Sequence, residues 1–407
     1  MCAKARAERP GSREAAVAAT RLARGALSFW AGRAPAGRLL SWLARRATRV
    51  FGAMGGVLAA GHAEAVDLPE DRADLMYHSY IGGGVVANGP ALLVQKSAGD
   101  DFSFSASYYV DTVSNASIDV VTTASPYHET RIEKGVGAEY VHHDSLISVA
   151  ASKSEEPDYS ADSASIDVSQ DMLGGMTTLK LGYTRGWDTV EKHGDPTFSQ
   201  PADHWQYRLG VTQIITARWL ASLNVEAISD AGYLGSPYRA ARVFGAFVPE
   251  VDPSTRTSRA ASLRGVGAIG DGGAVRADFR YFWDTWGIRA RTLEVGYGQR
   301  VGSRWLIDAS ARYYSQSHAI FYSDDFASAM TYMSRNRQLS TFNDVGLGVK
   351  ATYSAYKIPA LLEVKLTAAL ERMQFHYDDF TDLRPGANGK LYSFDANVAE
   401  VFVSATF

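Results

Sequence analysis

Acidic doublets flanked by aromatic residues are the first candidates for chemistry in this sequence. They occur in "FYSDDFASAMTYMS" (321–334) and "HYDDFTD" (376–382). Carboxylate oxygens are the ligands that Ca²⁺ prefers, so these loops could bind Ca²⁺ or the cations that bridge lipopolysaccharide. The EF-hand spacing is absent from the sequence, which favours solvated acidic loops and no metal or other cofactor. The carboxylates concerned are those of Asp324, Asp325, Asp378, Asp379 and Asp382.

Histidines are the second candidates, as general bases of a barrel enzyme that acts on lipid or peptide. The sequence contains no G-x-S-x-G, and no histidine has a recognisable triad context. The adjacent His142 and His143 fall in a short predicted turn, which is a poor metal site without further ligands. The sequence therefore favours a protein that is not an enzyme. The histidines in predicted loops or strand ends are His78, His128, His193, His204, His318 and His376.

Charged residues at every second position form the third set of candidates. In "AVRADFRY", Arg276, Asp278 and Arg280 alternate with apolar residues. If such segments line a barrel lumen, facing rows of opposite charge would create a transverse field that favours small polar solutes. Alternatively, the charges pair and only brace the wall. The residues predicted to line the lumen are Lys180, Arg208, Glu226, Arg276, Asp278, Arg280, Glu294, Asp308, Arg312, Lys350, Glu363 and Lys365.

The elements that must position these residues are β-strands. "WQYRLGVTQI", "WLASLNVEA" and "WLIDASARYY" alternate apolar and polar residues, and a period of two is typical of a strand. No comparable run at helical spacing follows residue 67. The pattern predicts about 16 strands, an even number as in single-chain bacterial barrels. Roughly 14 would remain if 73–97, where "IGGGVVANG" is rich in glycine, formed a plug or a periplasmic segment.

The predicted connections distinguish a membrane barrel from a secreted sandwich. Short ones mostly alternate with long polar ones, which is typical of short periplasmic turns and long extracellular loops. Aromatic residues near strand ends also suit two lipid–water interfaces, namely Trp187, Trp205, Trp219, Tyr281, Trp305 and Tyr313. The predicted fold is an all-β, antiparallel transmembrane β-barrel. Its long loops are 112–128, 188–204, 230–255, 316–338 and 376–392, and we expect 316–338 to fold into the lumen as a constriction.

The C-terminal segment "NVAEVFVSATF" ends this pattern on a phenylalanine. Val401 and Val403 share one face, whereas Phe402 is an apolar residue on the polar face. A last strand of this kind, ending in Phe407, is the signal that barrel-assembly machinery is expected to bind. This strand must also pair with the first one, because an open edge in lipid would leave backbone groups without partners.

The charge distribution excludes some functions and divides the chain in two. Residues 1–65 hold 11 Lys/Arg and 3 Asp/Glu, which leaves 30 basic and 41 acidic residues in 66–407. Such an acidic body is a poor polyanion binder, so no nucleic-acid partner is expected. The basic segment before an apolar stretch and Ala63-Glu64-Ala65 is typical of a cleaved signal peptide, although a disordered basic tail is the alternative. The predicted domains are a leader with signal peptide, 1–65, and a barrel, 66–407.

Several segments resemble a known family. "LPEDRADLMYHSYIGGG", "SASYYVDTVSNASIDVVTTASPY", "SQDMLGGMTTLKLGYTRGWD" and "RYFWDTWGI" are similar to Gram-negative exported proteins catalogued as domain of unknown function 3570. The resemblance extends over 67–407, and 108–127 is its most specific part. It implies an outer-membrane β-barrel and transfers no catalytic residues. The long Arg-rich leader departs from the plain signal peptide of the family.

The function expected from these features is an outer-membrane channel or uptake porin for small polar solutes. The alternative is a structural or partner-binding barrel without conductance, and a barrel enzyme is less favoured. The expected partners are outer-membrane lipid, lipopolysaccharide, the assembly machinery and, in a homo-oligomer, further copies of the chain.

Overall fold

Sixteen antiparallel strands close into one barrel in the computed structural model, which describes residues 68–115, 127–358 and 362–407. Each strand pairs with its neighbours along the chain, and β9 pairs directly with β12 because β10 and β11 form a separate hairpin between them. The predicted fold class is confirmed, and the uncertain segment 73–97 forms two barrel strands. The predicted leader, 1–65, lies outside the described residues.

The elements of the chain are β1 (Arg72–Gly82), β2 (Val85–Ala98), β3 (Phe102–Asn115), β4 (Tyr127–His142), β5 (Ser145–Glu156), β6 (Tyr159–Met172), β7 (Thr177–Lys192), β8 (Asp195–Thr216), β9 (Trp219–Gly232), β10 (Ala240–Val243), β11 (Ala246–Pro249), β12 (Thr255–Ile269), β13 (Gly273–Asp284), β14 (Arg289–Val301), β15 (Trp305–Gln316), a 3-10 helix (Arg337–Leu339), β16 (Phe342–Ile358), β17 (Leu362–Thr381) and β18 (Leu391–Thr406). In the described residues, no helix is long and apolar enough to cross a membrane.

The two ends of the barrel differ in their connections. The lower end is the one at which Arg72 pairs with Thr406, where β18 closes the barrel against β1. Connections at this end are tight turns, such as 99–101 and 217–218. The upper end carries the two longest described connections, 233–254 and 317–341. In the described residues the lower end thus has only short turns, as predicted, whereas the upper end combines the long loops with tight turns such as 83–84 and 157–158.

Two loop predictions are wrong in extent. The predicted loop 188–204 is mostly strand, because β7 and β8 continue upward to a tight hairpin at Gly194, whose φ is 80°. Above the apolar surface both faces of a strand contact water, so the alternation that reveals a strand disappears there. β17 likewise extends to Thr381, which shortens the predicted loop 376–392. Most of the predicted loop 112–128 lies outside the described residues.

The outward face of the barrel is an apolar belt. The side chains of a strand alternate between its two faces, so every second residue points outward. Many of these outward-facing residues are large, apolar and exposed. All sixteen barrel strands contribute to this belt, with Leu75, Leu92, Phe104, Val136, Val149, Ile166, Leu181, Leu209, Val225, Leu263, Phe279, Leu293, Ile307, Leu347, Leu366 and Val401 as exposed examples.

Aromatic residues border the belt, as predicted. Trp219 and Trp305 begin their strands at the lower end, and the ring of Trp305 lies 4.8 Å from that of Tyr353. Trp187 and Tyr313 are exposed near the upper end. From Trp305 to Tyr313 along β15, a strand tilted by about 40° rises roughly 20 Å. With the ring lengths added, this height is comparable to the about 25 Å apolar band of membrane barrels.

Candidate functional site: the barrel interior and its upper cap

The predicted lumen-lining residues lie on the inward face of the barrel. Arg208 illustrates the geometry, since its strand neighbours Tyr207 and Leu209 are exposed while its own guanidinium is only 18% exposed. Lys180 is half-buried on the inward face of β7. The other ten predicted residues also alternate with outward-facing apolar or small residues. How they act in transport remains a prediction.

Charges on β13 to β16 form one network along the wall. Arg276 Nη1 lies 3.3 Å from Asp308 Oδ1, and its Nε lies 3.9 Å from Glu294 Oε1. Asp308 Oδ2 is also 3.6 Å from Lys350 Nζ. The two carboxylates of β14 and β15 thus lie between basic residues of β13 and β16.

A second network extends from β6 to β13. Arg208 Nη2 lies 3.1 Å from Asp167 Oδ1, and its Nη1 donates to Gln206 Oε1 at 2.6 Å. Gln206 donates in turn to Glu226, whose Oε2 is 3.1 Å from Arg280 Nη2. Opposite charges therefore meet on adjacent or nearby strands in both networks, whereas facing rows of opposite charge across the lumen remain a prediction. The geometry supports the bracing alternative for these residues.

Four of the remaining predicted lining residues, Asp278, Arg312, Glu363 and Lys365, are paired as well. Arg264 Nε donates to Asp278, Lys365 Nζ lies 3.0 Å from Glu363 Oε2, and Arg312 Nη1 donates to Asp344 Oδ1 at 2.6 Å. The last pair is the most buried of these three, with side chains that are 3% and 0% exposed. Local pairing therefore neutralises most of the interior charge.

Inward-facing glycines make room for these charged side chains. A Cβ at Gly182 would overlap Asp167 Oδ1, and one at Gly296 would overlap the Arg276 guanidinium. A glycine at an inward strand position beside a charged residue is thus a sequence signal for the networks, which the period-two analysis overlooked.

A buried cluster on β1, β3 and β4 was not anticipated as a unit. His78 Nε2 lies 2.6 Å from Asp111 Oδ1 and 3.0 Å from the hydroxyl of Tyr109, whose ring stacks on the imidazole. Arg131 Nη2 donates to Glu133 Oε2 at 2.6 Å and its Nη1 is 3.7 Å from Asp111 Oδ2. All five side chains are buried, so the cluster packs against the inner side of the wall and His78 is not exposed to solvent as a general base.

Another histidine braces the upper rim. The two ring nitrogens of His204 lie 2.9 Å from Asp188 Oδ2 and 2.8 Å from Asp230 Oδ1. The imidazole thereby links β7, β8 and β9 above the charged networks.

The segment 317–341 packs into the upper end of the barrel, as predicted for 316–338. Phe321, Tyr322 and Leu339 are buried in a cluster with inward-facing residues of β1 to β3 and of β12 to β18. The densest part of this aromatic cluster lies on β16 to β18, where the rings of Phe375 and Phe394 stack at 4.5 Å. The guanidinium of Arg337 lies 5.4 Å from the centre of the Phe394 ring. An aromatic plug therefore occupies part of the upper interior.

The two long upper loops join to form a cap. The amide of Phe326 donates to the carbonyl of Arg242 at 2.8 Å, and the amides of Val251 and Met333 each donate to the other residue's carbonyl at 3.0 Å. Phe326 and Met333 also pack against Ala241 of the β10–β11 hairpin. We use "cap" below for 233–254 together with 317–341.

Arg335 connects the cap to the barrel rim. Its backbone amide donates to Glu250 Oε1 at 2.7 Å, and its Nη2 donates to Asp324 Oδ1 at 2.6 Å and to the Thr381 carbonyl at 2.8 Å. Its guanidinium also lies 4.2 Å from the centre of the Phe380 ring. The side chain of Arg335 thus anchors the loop 317–341 to β17, and its backbone amide binds the loop 233–254.

The carboxylates considered for cation binding are mostly engaged in such contacts. Asp324 binds Arg335, Asp325 accepts from the Gly245 amide at 3.0 Å, and Asp379 accepts from the Thr341 amide at 2.8 Å. Asp382 pairs with Arg384 at 2.6 Å. Within the described ranges, no group of three or more His, Cys, Asp or Glu side chains is arranged to hold a metal ion.

The cap also contacts the β5–β6 turn. The Tyr238 hydroxyl donates to Asp158 Oδ2 at 2.5 Å and accepts from the His193 amide at 2.7 Å. Burial raises the pKa of the Asp158 carboxyl to about 6, although the Tyr238 hydrogen bond opposes this shift. The contact joins elements that are distant in the sequence.

A buried acid within the cap leads to a prediction about pH. Burial raises the pKa of Glu250 to about 8, and the nearby Asp252 adds to the shift while Arg239 opposes it. In an open cap the carboxyl would contact water and regain its ordinary pKa of about 4.5. Closing therefore takes up a proton between these two values, so closure is most stable at low pH and weakens as the pH rises towards 8.

Hydrogen exchange would measure this effect. After correction for intrinsic exchange, the amides of Val251 and Phe326 should lose protection between pH 5 and pH 8, and Glu250→Gln should remove most of this dependence. Equal protection of the wild-type amides across that range would contradict the prediction.

The end of the chain is held in the sheet. The Phe407 amide donates to the Asp71 carbonyl at 3.0 Å, and Lys96 Nζ lies 5.0 Å from the centre of its ring. Val401 and Val403 are exposed in the belt, whereas Phe402 packs inside against Met76. The inward contact explains why an apolar residue occupies the polar face. The assembly role of this strand remains a prediction.

Comparisons with known proteins concern the family and the architecture. A family model described as "Protein of unknown function (DUF3570)" matches residues 196–368, which confirms the resemblance over that part of the chain. The sequence has no significant match among curated proteins.

Solved structures with similar barrels have low identity to the chain. A bacterial polysaccharide outer membrane secretin is 10% identical with a TM-score of 0.47, and the similarity covers 83% of this chain and 99% of that one. A FadL homologue of Pseudomonas aeruginosa is 15% identical with a TM-score of 0.38, covering 84% and 90%. The CymD monoaromatic hydrocarbon channel is 11% identical with a TM-score of 0.39, covering 84% and 89%. We assign no ligand or activity from them.

Proposed function

We propose that this protein is an outer-membrane β-barrel that conducts small polar solutes through a lumen whose upper mouth is closed at rest by the cap. The exposed apolar belt, to which all sixteen strands contribute, carries the membrane placement. An apolar surface of this extent is unusual for a soluble monomer, whereas lipid would cover it.

The orientation follows from the loops. At the lower end, the described connections are short turns, and β1 begins and β18 ends there. We assign this end to the periplasm, so the cap faces the outside of the cell. The proposed location is the outer membrane of a Gram-negative bacterium, reached through a cleaved signal peptide. The final strand, with Phe407 at its end, would be the segment that the assembly machinery binds.

The charged interior below the cap supports a polar conduit. A closed barrel of sixteen strands is wide enough to hold water unless its interior is filled. The wall below the cap carries charged and hydrogen-bonding groups, among which Lys350 and Arg280 are 30% and 29% exposed despite facing inward. We expect these partly hydrated groups to contact passing solutes.

A structural or partner-binding barrel without conductance is the second candidate. The aromatic plug favours this candidate, because Phe321 and Tyr322 pack against residues of β1 to β3 and of β12 to β18. The plug therefore fills part of the upper lumen through which a solute would have to pass. We do not propose an enzyme, since the buried His78–Asp111 pair lies within the wall. Turnover of a lipid or peptide that His78→Ala abolishes would contradict this assignment.

A test of the channel uses a charge reversal inside the barrel. Arg276 lies near Glu294 and Asp308, so Arg276→Glu would leave a cluster of carboxylates on the lower wall. In planar bilayers with a salt gradient, we expect the reversal potential to shift towards cation selectivity. The matched control is Arg372→Glu, which makes the same charge change on the outward face, where Arg372 is 61% exposed.

The outcomes separate the candidates. A shift with Arg276→Glu but not with Arg372→Glu supports conduction past the charged wall. Arg276→Gln provides a milder variant if the charge reversal prevents folding. A heat-modifiable barrel that inserts into bilayers yet never conducts, even when the cap is removed, would support the structural barrel.

A further inference from the structure

Three arginines form a patch on the outward face of β12 to β14. Arg259 of β12 is the cross-strand partner of Trp283, which is also the partner of Arg289 on β14. Arg291 pairs in the same way with Tyr281. Neighbouring strands are about 4.8 Å apart, so roughly 10 Å separates the backbones of Arg259 and Arg289, a distance that these long side chains can span. All three side chains are exposed.

The patch lies at the upper border of the apolar belt. The next outward positions towards the lower end are Phe279 and Leu293, which are exposed apolar residues. The rings of Tyr281 and Trp283 stack at 5.6 Å between the arginines. Aromatic rings at such a border are typical of the lipid–water interface, where lipid phosphates lie.

This patch differs in its partners from three other outward cations near the upper end, Lys153, Arg185 and Arg372. Within the described ranges, no carboxylate pairs with Arg259, Arg289 or Arg291. Three other outward cations have carboxylate partners on the same or the next strand: Lys153 Nζ lies 3.0 Å from Glu155 Oε1, Arg185 Nη2 lies 2.6 Å from Asp203 Oδ1, and Arg372 Nη2 lies 2.7 Å from Asp395 Oδ2.

We propose that the arginine patch binds the phosphate groups of lipopolysaccharide in the outer leaflet. The proposal rests on the proposed membrane placement, which puts the upper end at the outer surface. Guanidinium groups bind phosphate through paired charge-assisted hydrogen bonds, and three of them at one site can contact more than one phosphate. The exposed apolar surface below the patch would contact the acyl chains of the same molecule.

Native mass spectrometry of the folded full chain in detergent tests this proposal. The probes are bisphosphorylated lipid A and the same lipid with both phosphates removed. We expect the wild type to retain the bisphosphorylated form preferentially, and the triple variant Arg259→Gln/Arg289→Gln/Arg291→Gln to bind it about tenfold or more weakly, since charge-assisted contacts are lost.

The matched control removes three outward cations that already have carboxylate partners. In Lys153→Gln/Arg185→Gln/Arg372→Gln, the preference for the phosphorylated lipid should persist. Equal binding of both lipids by the wild type would overturn the proposal, as would an unaffected arginine-patch variant or an equal loss in the control. Complete displacement of the lipid by millimolar inorganic phosphate would also overturn it, because the site would then recognise free phosphate.

Bilayer insertion distinguishes this proposal from the proposed function. A wild-type protein that fails to insert as a heat-modifiable barrel would contradict the membrane placement itself. A protein that inserts normally but shows no phosphate preference would contradict only the lipopolysaccharide site.

Discussion

Arg335→Ala is expected to raise the frequency of channel openings about tenfold or more, because the substitution removes charge-assisted hydrogen bonds that hold the cap. In the closed barrel the guanidinium donates to Asp324 and to the Thr381 carbonyl and lies over the Phe380 ring. None of these contacts forms with alanine, whereas the backbone hydrogen bond to Glu250 remains available. The cap should therefore loosen without loss of the barrel.

Single-channel recording in planar bilayers, combined with hydrogen exchange of the cap amides, measures this effect. The matched control is Arg384→Ala, whose side chain pairs with Asp382 beside the rim and is 48% exposed. We expect it to behave as the wild type. Excision of 320–338 with a short Gly/Ser connection is the limiting variant and should conduct continuously.

Two results would contradict the gating scheme in different ways. Unchanged protection of the cap amides in Arg335→Ala would show that other contacts hold the cap. Loss of protection without any conductance, in both the point variant and the excision, would show that the lumen below is closed. The structural barrel would then replace the channel.

Arg312→Ala is expected to lower the free energy of unfolding by about 3–5 kcal/mol. The side chains of Arg312 and Asp344 are 3% and 0% exposed, so removal of the cation leaves a carboxylate buried without its charge partner. Burial without compensation is costly, because the carboxylate loses hydration that it regains when the chain unfolds.

Urea titration of the barrel in lipid vesicles measures the unfolding free energy. The double variant Arg312→Leu/Asp344→Leu should recover most of the loss, because it removes both charges from the interior. As a control, Arg372→Ala breaks the pair with Asp395, whose side chains are 61% and 46% exposed, and should cost at most about 1 kcal/mol. Equal losses at both arginines would contradict the importance of burial.

The strands could be predicted from the sequence wherever one face is apolar and the other polar. "AVRADFRY" predicted β13 because Phe279 faces the belt while Asp278 and Arg280 face the interior. The same criterion failed at 188–204, where the strands rise above the belt and both faces are polar. It also gave no reason for Phe402, whose partner Met76 lies on the first strand of the barrel.

The candidate site was harder to predict from the sequence than the strands were. Alternation placed Arg276 and Asp308 on the inward face, but their pairing depends on the register between strands. The union of the two cap loops depends on contacts between residues remote in sequence, such as Val251 and Met333. Neither loop has a periodic pattern that would reveal the other as its partner.

The sequence by itself determined the barrel class, the inward and outward faces, the strand number and the end that carries the long loops. These properties follow from a local period of two and from the lengths of connections, which are written along the chain. Only the tertiary structure decided that interior charges pair along the wall, that Arg335 anchors a cap, and that Arg259, Arg289 and Arg291 share one outward patch. Those arrangements depend on strand register and chain closure, which bring together side chains that no local pattern relates.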